Sequence, residues 1–175
     1  MPNVVLIGFM GTGKSAIGRV VARILNYQFV DTDQMVEEVT GLTINQIFRK
    51  YGEIRFRSEE ALAINKLMGK DRMVIATGGG MTLNPENAKK LKQLGVVVLL
   101  TADPEVILER VSRKNTRPLL AKGKNLESIN SLLAERAEAY QRSADITIDT
   151  SGKDIEESAS QIVKMLKETW MHENS

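Results

Sequence analysis

Short, wholly apolar runs alternate along this chain with longer stretches in which apolar residues return every three or four positions. Asn3–Ile7 (NVVLI) is the first such run and stops at Gly8. From Lys14 to Leu25 the period changes, and Ile17, Val20, Val21, Ile24 and Leu25 fall on one helical stripe. Tyr27–Val30 (YQFV) reads as a second strand ending at Asp31, with helical spacing over about 33–40, 43–51 and 53–69. Met73–Ala76 (MVIA) is a third strand, followed by Thr77 and three glycines. Asn84-Pro85 then starts a helix, with an N-cap and a first-turn proline whose missing N–H costs nothing there. Val96–Leu100 is the most apolar strand, and Asp103-Pro104 repeats the start signal for a helix running to about Ser112. Helical spacing resumes from about Leu126 to Arg142; Ala144–Asp149 (ADITID) is the fifth strand, and Asp154 opens the last helix. Strands alternating with helices predict βαβ units and a parallel sheet covered on both faces, a single three-layer α/β domain. In such sheets ligands bind beyond the carboxyl ends of the strands. The unusual residues of this chain collect there.

Composition narrows the chemistry. At 175 residues the chain can bury a full core without disulfides or a structural metal. Cysteine is absent and the single histidine, His172, stands near the C-terminus, which excludes thiolate metal sites, cysteine nucleophiles and a Ser-His-Asp triad. Lys+Arg 24 against Asp+Glu 22 leaves +2, too small a surplus to argue for nucleic acid. No apolar run approaches a bilayer span, and strand-like residues begin at Asn3 without a secretory leader before them. A cytoplasmic protein with no membrane association is expected.

Gly8-Phe9-Met10-Gly11-Thr12-Gly13-Lys14-Ser15 fits the GxxxxGK[ST] phosphate loop and lies between a strand and a helix, as that motif must. Glycines let backbone N–H groups wrap phosphates, Lys14 reaches the β/γ oxygens, and the Ser15 hydroxyl binds Mg²⁺. Asp31-Thr32-Asp33 follows the second strand; residues two apart in extended chain point the same way, so both carboxylates face one pocket. One is suited to Mg²⁺ and the other to an acceptor hydroxyl, the alternative being that Asp33 only caps the next helix. Thr77-Gly78-Gly79-Gly80 brings backbone close to a ligand at the end of the third strand. Arg57 and Glu60, three apart on a helix, can lock a guanidinium for a carboxylate, although spacing alone favours an ordinary solvated ion pair. Between Arg110 and Leu126 stand Arg110, Arg113, Lys114, Arg117, Lys122 and Lys124 with no acid. Such a stretch reads as a lid that lowers an arginine onto phosphates, or else as a solvated basic loop or a nucleic-acid patch. Asp103 passes for a metal-binding carboxylate, but its place before Pro104 makes it a helix cap.

The order GFMGTGKS, DTD, FRSEE, TGGG, TRPLL and Arg136-x-x-x-Tyr140, between Val4 and Asp149, closely resembles the shikimate kinase family. That resemblance implies a P-loop fold like the nucleoside monophosphate kinases, with five parallel strands in the order 2-3-1-4-5. It also implies a substrate-binding segment at about 33–61 and a lid at about 112–124. The activity implied is transfer of the γ-phosphoryl of ATP to the 3-hydroxyl of shikimate, in aromatic amino-acid biosynthesis. By the same resemblance Gly11, Thr12, Gly13, Lys14, Ser15 and Ala16 cradle ATP, Ser15 ligates Mg²⁺, and Asp31 helps hold the metal through water. Asp33 binds the shikimate hydroxyls and orients or deprotonates the attacking one. Arg57 and Arg136 grip the carboxylate, Glu60 positions Arg57, and Gly78, Gly79 and Gly80 present backbone to the substrate. Arg117 reaches the phosphates from the lid, Arg110 stacks on adenine, and Lys153 belongs to an adenine-side loop. The catalytic set is therefore Lys14, Asp33 and Arg117, acting in a monomer whose partner is the small molecule alone. A kinase for another hydroxylated acid such as gluconate is the nearest rival, since two arginines suit any carboxylate. A switch GTPase is the rival of a different class: Asp149-Thr150-Ser151-Gly152 mimics DxxG, but no later NKxD follows.

Overall fold

The computed structural model describes residues 2–114 and 125–175. Its strands are β1 (Asn3–Gly8), β2 (Gln28–Asp31), β3 (Met73–Ala76), β4 (Gly95–Thr101) and β5 (Ile146–Asp149). They form one five-stranded sheet in the order β2-β3-β1-β4-β5, and every neighbouring pair is parallel. This is the expected order. It sets the loops that leave β1, β3 and β4 side by side at the carboxyl edge, with β1 at the centre.

Alternation along β1 explains the layers. Val4 and Leu6 face one side, where they pack with Ile17 and Val21 of α1 (Lys14–Leu25) and Ile162 and Leu166 of α8 (Ile155–Glu173). Val5 and Ile7 face the other side, which is covered by α4 (Glu53–Leu67), α5 (Pro85–Leu94), α6 (Pro104–Lys114) and α7 (Leu126–Ser143). Burial on both faces is why these strands read as unbroken apolar runs. A smaller core of Val36, Ile44, Ile47, Phe56 and Ala63 joins α2 (Thr32–Thr40) and α3 (Ile44–Tyr51) to α4. Thr43 and Gln46 close a capping box on α3, through bonds of 3.1 and 2.9 Å, and so fix this annex at the mouth of the sheet.

The helix-start signals act as the sequence predicts. Asn84 accepts from Glu86 and Asn87 N–H ahead of Pro85, and Asp154 accepts from Glu157 N–H at 2.7 Å. Asp103 is exposed, and its carbonyl accepts the Ile107 N–H at 3.0 Å, the first bond of α6. Most element ends fall within two residues of the expectation, and two departures have a visible cause. Strand β5 begins at Ile146, because α7 runs on through Ser143 and the Ala144 N–H closes it on Tyr140 O at 3.1 Å. After the three glycines the chain makes a 3-10 turn at Met81–Leu83, where Met81 is drawn wholly into the core. No described helix is long and apolar enough to cross a membrane.

Candidate active site

The phosphate loop is held open by backbone that only glycine adopts cheaply. Gly11 and Gly13 sit at φ +79° and +97°, and Gly13 is the N-cap of α1, so no side chain stands over the free N–H groups of that helix. Lys14 is buried, with its ammonium donating to Gly8 O at 2.7 Å and Phe9 O at 2.9 Å, folded along the loop it serves. Beside the loop lies a cleft of about 450 Å³, also lined by Ala16, Arg110, Arg113 and Lys153. Arg110 bridges its two walls, donating to Gly11 O at 3.0 Å and to the Thr150 hydroxyl at 3.3 Å. Thr150 in turn donates to Thr12 O at 2.9 Å, tying the connection after β5 to the phosphate loop. Lys153 donates to Gln161 at 2.7 Å on the same wall.

Ser15 Oγ donates to Asp31 Oδ2 at 2.9 Å, so a hydroxyl and a carboxylate meet where the phosphates of a nucleotide would lie. Among the described residues no cluster of three or more acidic or histidine side chains forms a metal cage. A sparse oxygen pair beside phosphates is what Mg²⁺ accepts, because it keeps several waters and takes its other ligands from the nucleotide. The donor set therefore fits that ion.

The other Asp31 oxygen accepts the N–H groups of Asp33 and Gln34 at 2.9 and 3.3 Å. Asp31 is thus the cap of α2, and the alternative that Asp33 serves only as a cap fails. Asp33 lies inside the first turn, buried, and lines both the nucleotide cleft and a second, narrower pocket of about 30 Å³.

That second pocket concentrates buried charge. Arg57 Nη1 donates to Glu60 Oε1 at 2.7 Å; Glu60 is fully buried and the Arg57 side chain only 24% exposed. This overturns the solvated pair favoured by spacing, because the face of α4 that carries both residues turns inward against the glycine turn. Burial disfavours the Arg57 cation, but the Glu60 and Glu53 carboxylates outweigh it and leave its pKa raised. Arg136 comes from α7, is 3% exposed, and lies over the Phe9 ring at 5.3 Å. The three glycines owe their identity to space. A Cβ on Gly78 would stand 2.7 Å from Glu60 Oε2 and 3.0 Å from Asp33 Oδ1. One on Gly79 would meet Arg136 Nη1 at 3.1 Å, and one on Gly80 Arg57 Nη2 at 2.5 Å. Four charged side chains from three helices therefore converge on three consecutive residues. The Gly78 N–H donates to Thr32 Oγ1 at 3.2 Å and is not offered to a ligand. Ile44, Phe48, Phe56 and Met10 supply the apolar wall. Two cations, two carboxylates and an apolar wall suit a small ring that carries a carboxylate and hydroxyls.

The family model described as shikimate kinase matches residues 10–167. The chain belongs to the shikimate kinase family. A shikimate kinase of Pelotomaculum thermopropionicum is 53% identical over 168 residues, covering 96% of this chain and 97% of that one. Among solved structures, the shikimate kinase of Acinetobacter baumannii in complex with shikimate superposes with a TM-score of 0.93. It is 37% identical, with 97% of this chain and 94% of that chain covered. The shikimate kinase of Aquifex aeolicus gives a TM-score of 0.81 at 37% identity, with 97% and 98% covered. The protein is a small-molecule kinase that uses ATP with Mg²⁺, and the GTPase reading falls away.

Of the residues singled out in the sequence, the structure gathers Gly11–Ala16, Asp31, Arg110 and Lys153 at one pocket. Arg57, Glu60, Gly78–Gly80 and Arg136 gather at the other. Asp33 belongs to both. Arg117, and the lid expected at 112–124 from residue 115 onward, lie outside the described residues. Sequence reasoning gave no separate task to Met10, which lines both pockets, or to Thr32, and it put Thr150 in an adenine-side loop with Lys153 without seeing that it joins the walls of the cleft. It also gave Tyr140 no task, although its place four residues after Arg136 puts both on one helix face.

Proposed function

We propose that the chain transfers the γ-phosphoryl group of ATP to the 3-hydroxyl of shikimate, with the nucleotide in the larger cleft and shikimate in the smaller pocket. The observation that carries this assignment is Asp33. It lines both pockets, so a hydroxyl bonded to it would face the end of a triphosphate cradled by the loop. Phosphoryl transfer needs in-line positioning and neutralised charge, with little covalent work from the protein. Arg57, steadied by Glu60, and Arg136 hold the acceptor carboxylate and so turn its ring. Asp33 accepts the hydrogen bond of the attacking hydroxyl and aims its oxygen. Lys14 leaves the Gly8 and Phe9 carbonyls for the β/γ oxygens, exchanging two neutral acceptors for charged ones. Ser15, and Asp31 through water, would hold Mg²⁺, which would supply neutralisation of phosphate charge. Arg110 and Lys153 flank the base, and Arg117, outside the described residues, adds positive charge at the phosphates. The protein works in the cytoplasm as a monomer and engages no nucleic acid.

The gluconate alternative loses ground because the family matched and the curated relatives are shikimate kinases. ATP consumption measured with no acceptor, with shikimate and with gluconate tests the assignment. Turnover that requires shikimate is expected, and equal turnover with gluconate would overturn it.

A further inference from the structure

Tyr140 lines neither pocket, yet it stands behind the residue on which acceptor recognition depends. It lies one turn beyond Arg136 on α7, is 5% exposed, and donates its hydroxyl to Gly79 O at 2.5 Å. Burial raises its pKa, while the nearby Arg136 cation, a side-chain hydrogen bond to Arg136 and the Arg57 cation oppose that shift. The phenol therefore stays protonated and a donor at neutral pH. Arg136 Nη1 is buried and finds no hydrogen-bond partner among the described residues. It lies 3.1 Å from the position that a Cβ on Gly79 would take. A buried cationic N–H without a partner is costly to maintain, and the Gly79 carbonyl beside it belongs to a glycine, the residue least restrained in rotation.

We infer that Tyr140 is a positioning residue for the acceptor site: it occupies the Gly79 carbonyl, keeps it from Arg136, and so leaves Arg136 Nη1 for the acceptor carboxylate. The inference rests on the reading of the second pocket given above. Phe9, under the guanidinium at 5.3 Å, holds the Arg136 plane without supplying an acceptor, so the arrangement keeps the cation placed with Nη1 uncommitted. In Tyr140→Phe the Gly79 peptide is free to turn its carbonyl onto Nη1. The variant then competes with its own substrate.

The test is steady-state kinetics on Tyr140→Phe, Arg136→Ala and the double variant, with melting temperatures on the same preparations. Tyr140→Phe is expected to raise the shikimate KM by about 3- to 30-fold, with kcat and the ATP KM within about twofold. The double variant should be no worse than Arg136→Ala alone, because Tyr140 acts through Arg136. A purely structural role predicts instead that the ATP and shikimate KM values shift together, or that the two losses multiply. Either result overturns the inference. If Tyr140→Phe melts near the assay temperature, shikimate titration well below that temperature gives the same comparison through Kd. An unchanged shikimate KM in Arg136→Ala would defeat the pocket assignment itself. A raised KM there with an unchanged one in Tyr140→Phe would defeat the Tyr140 role alone.

Discussion

The nucleotide cleft and the acceptor pocket share Met10 and Asp33, and beyond those two residues they are built from different material. The cleft owes its shape to main chain: glycines at positive φ, the first turn of α1 with no side-chain cap, and the Thr12 and Gly11 carbonyls that receive Thr150 and Arg110. Its phosphate loop is one continuous stretch of chain, tied to the distant Arg110 and Thr150. The pocket owes its shape to side chains of Asp33, Arg57, Glu60 and Arg136, which meet only where three glycines leave room for them. Main-chain N–H groups bind any polyphosphate, whereas an array of buried charges fits few molecules. On the proposed assignment, generic binding of the donor and selective binding of the acceptor reside in separate structures, joined by one carboxylate.

Substitutions can break that division, beginning where the two halves meet. Asp33→Asn keeps size and removes charge at the shared position. It should lower kcat by about 10²- to 10⁴-fold, while ATP binding measured without acceptor changes little. Activity within a few-fold of wild type would remove Asp33 from the chemistry. Lys14→Met takes the cation from the cleft alone and should lower kcat by about 10²- to 10³-fold with an unaltered melting temperature. Its shikimate Kd should stay at the wild-type value, and a large shift there would show that the two halves are not separable.

Smaller effects sharpen the contrast between main chain and side chain. Gly80 has φ −103°, so alanine there carries no backbone strain, but its Cβ would lie 2.5 Å from Arg57 Nη2. Gly80→Ala should therefore raise the shikimate KM by about tenfold with little loss of stability. A fall in melting temperature without a KM change would mean that the glycines serve folding alone. Thr150→Val removes the bond to Thr12 O and the partner of Arg110 while keeping the side chain's shape. It should raise the ATP KM by about 3- to 10-fold and leave the shikimate KM alone, which paired kinetic measurements would check.

The same division decides what could be read before the fold was known. The phosphate loop is eight consecutive residues between a strand and a helix, so its chemistry is written in local spacing. Strand and helix periodicity placed the sheet because both of its faces are buried, and a one-residue slip would reverse every side chain. The acceptor pocket has no such signature: Arg136 and Arg57 belong to different helices and meet only through the sheet order. Resemblance to a family brought them together, and spacing did not. Local rules also misled at Arg57 and Glu60, where an i, i+3 pair looks the same whether its helix face is wet or buried. They were silent on Tyr140, whose task depends on a carbonyl 61 residues away. Asp31 and Asp33 could be told apart only by seeing which of them the α2 N–H groups reach.

The central claim is that Arg57 and Arg136 exist to hold the acceptor's carboxylate. Comparing shikimate with its uncharged carboxamide, as kcat/KM, on wild type, Arg136→Ala and Arg136→Lys tests it most directly. Wild type should favour the carboxylate by about 30- to 1,000-fold. Arg136→Ala should lose most of that preference, and Arg136→Lys should recover little of it, since an ammonium lacks the two-pronged grip. A preference that survives intact in Arg136→Ala, with the ATP KM or the melting temperature moving instead, would contradict the account.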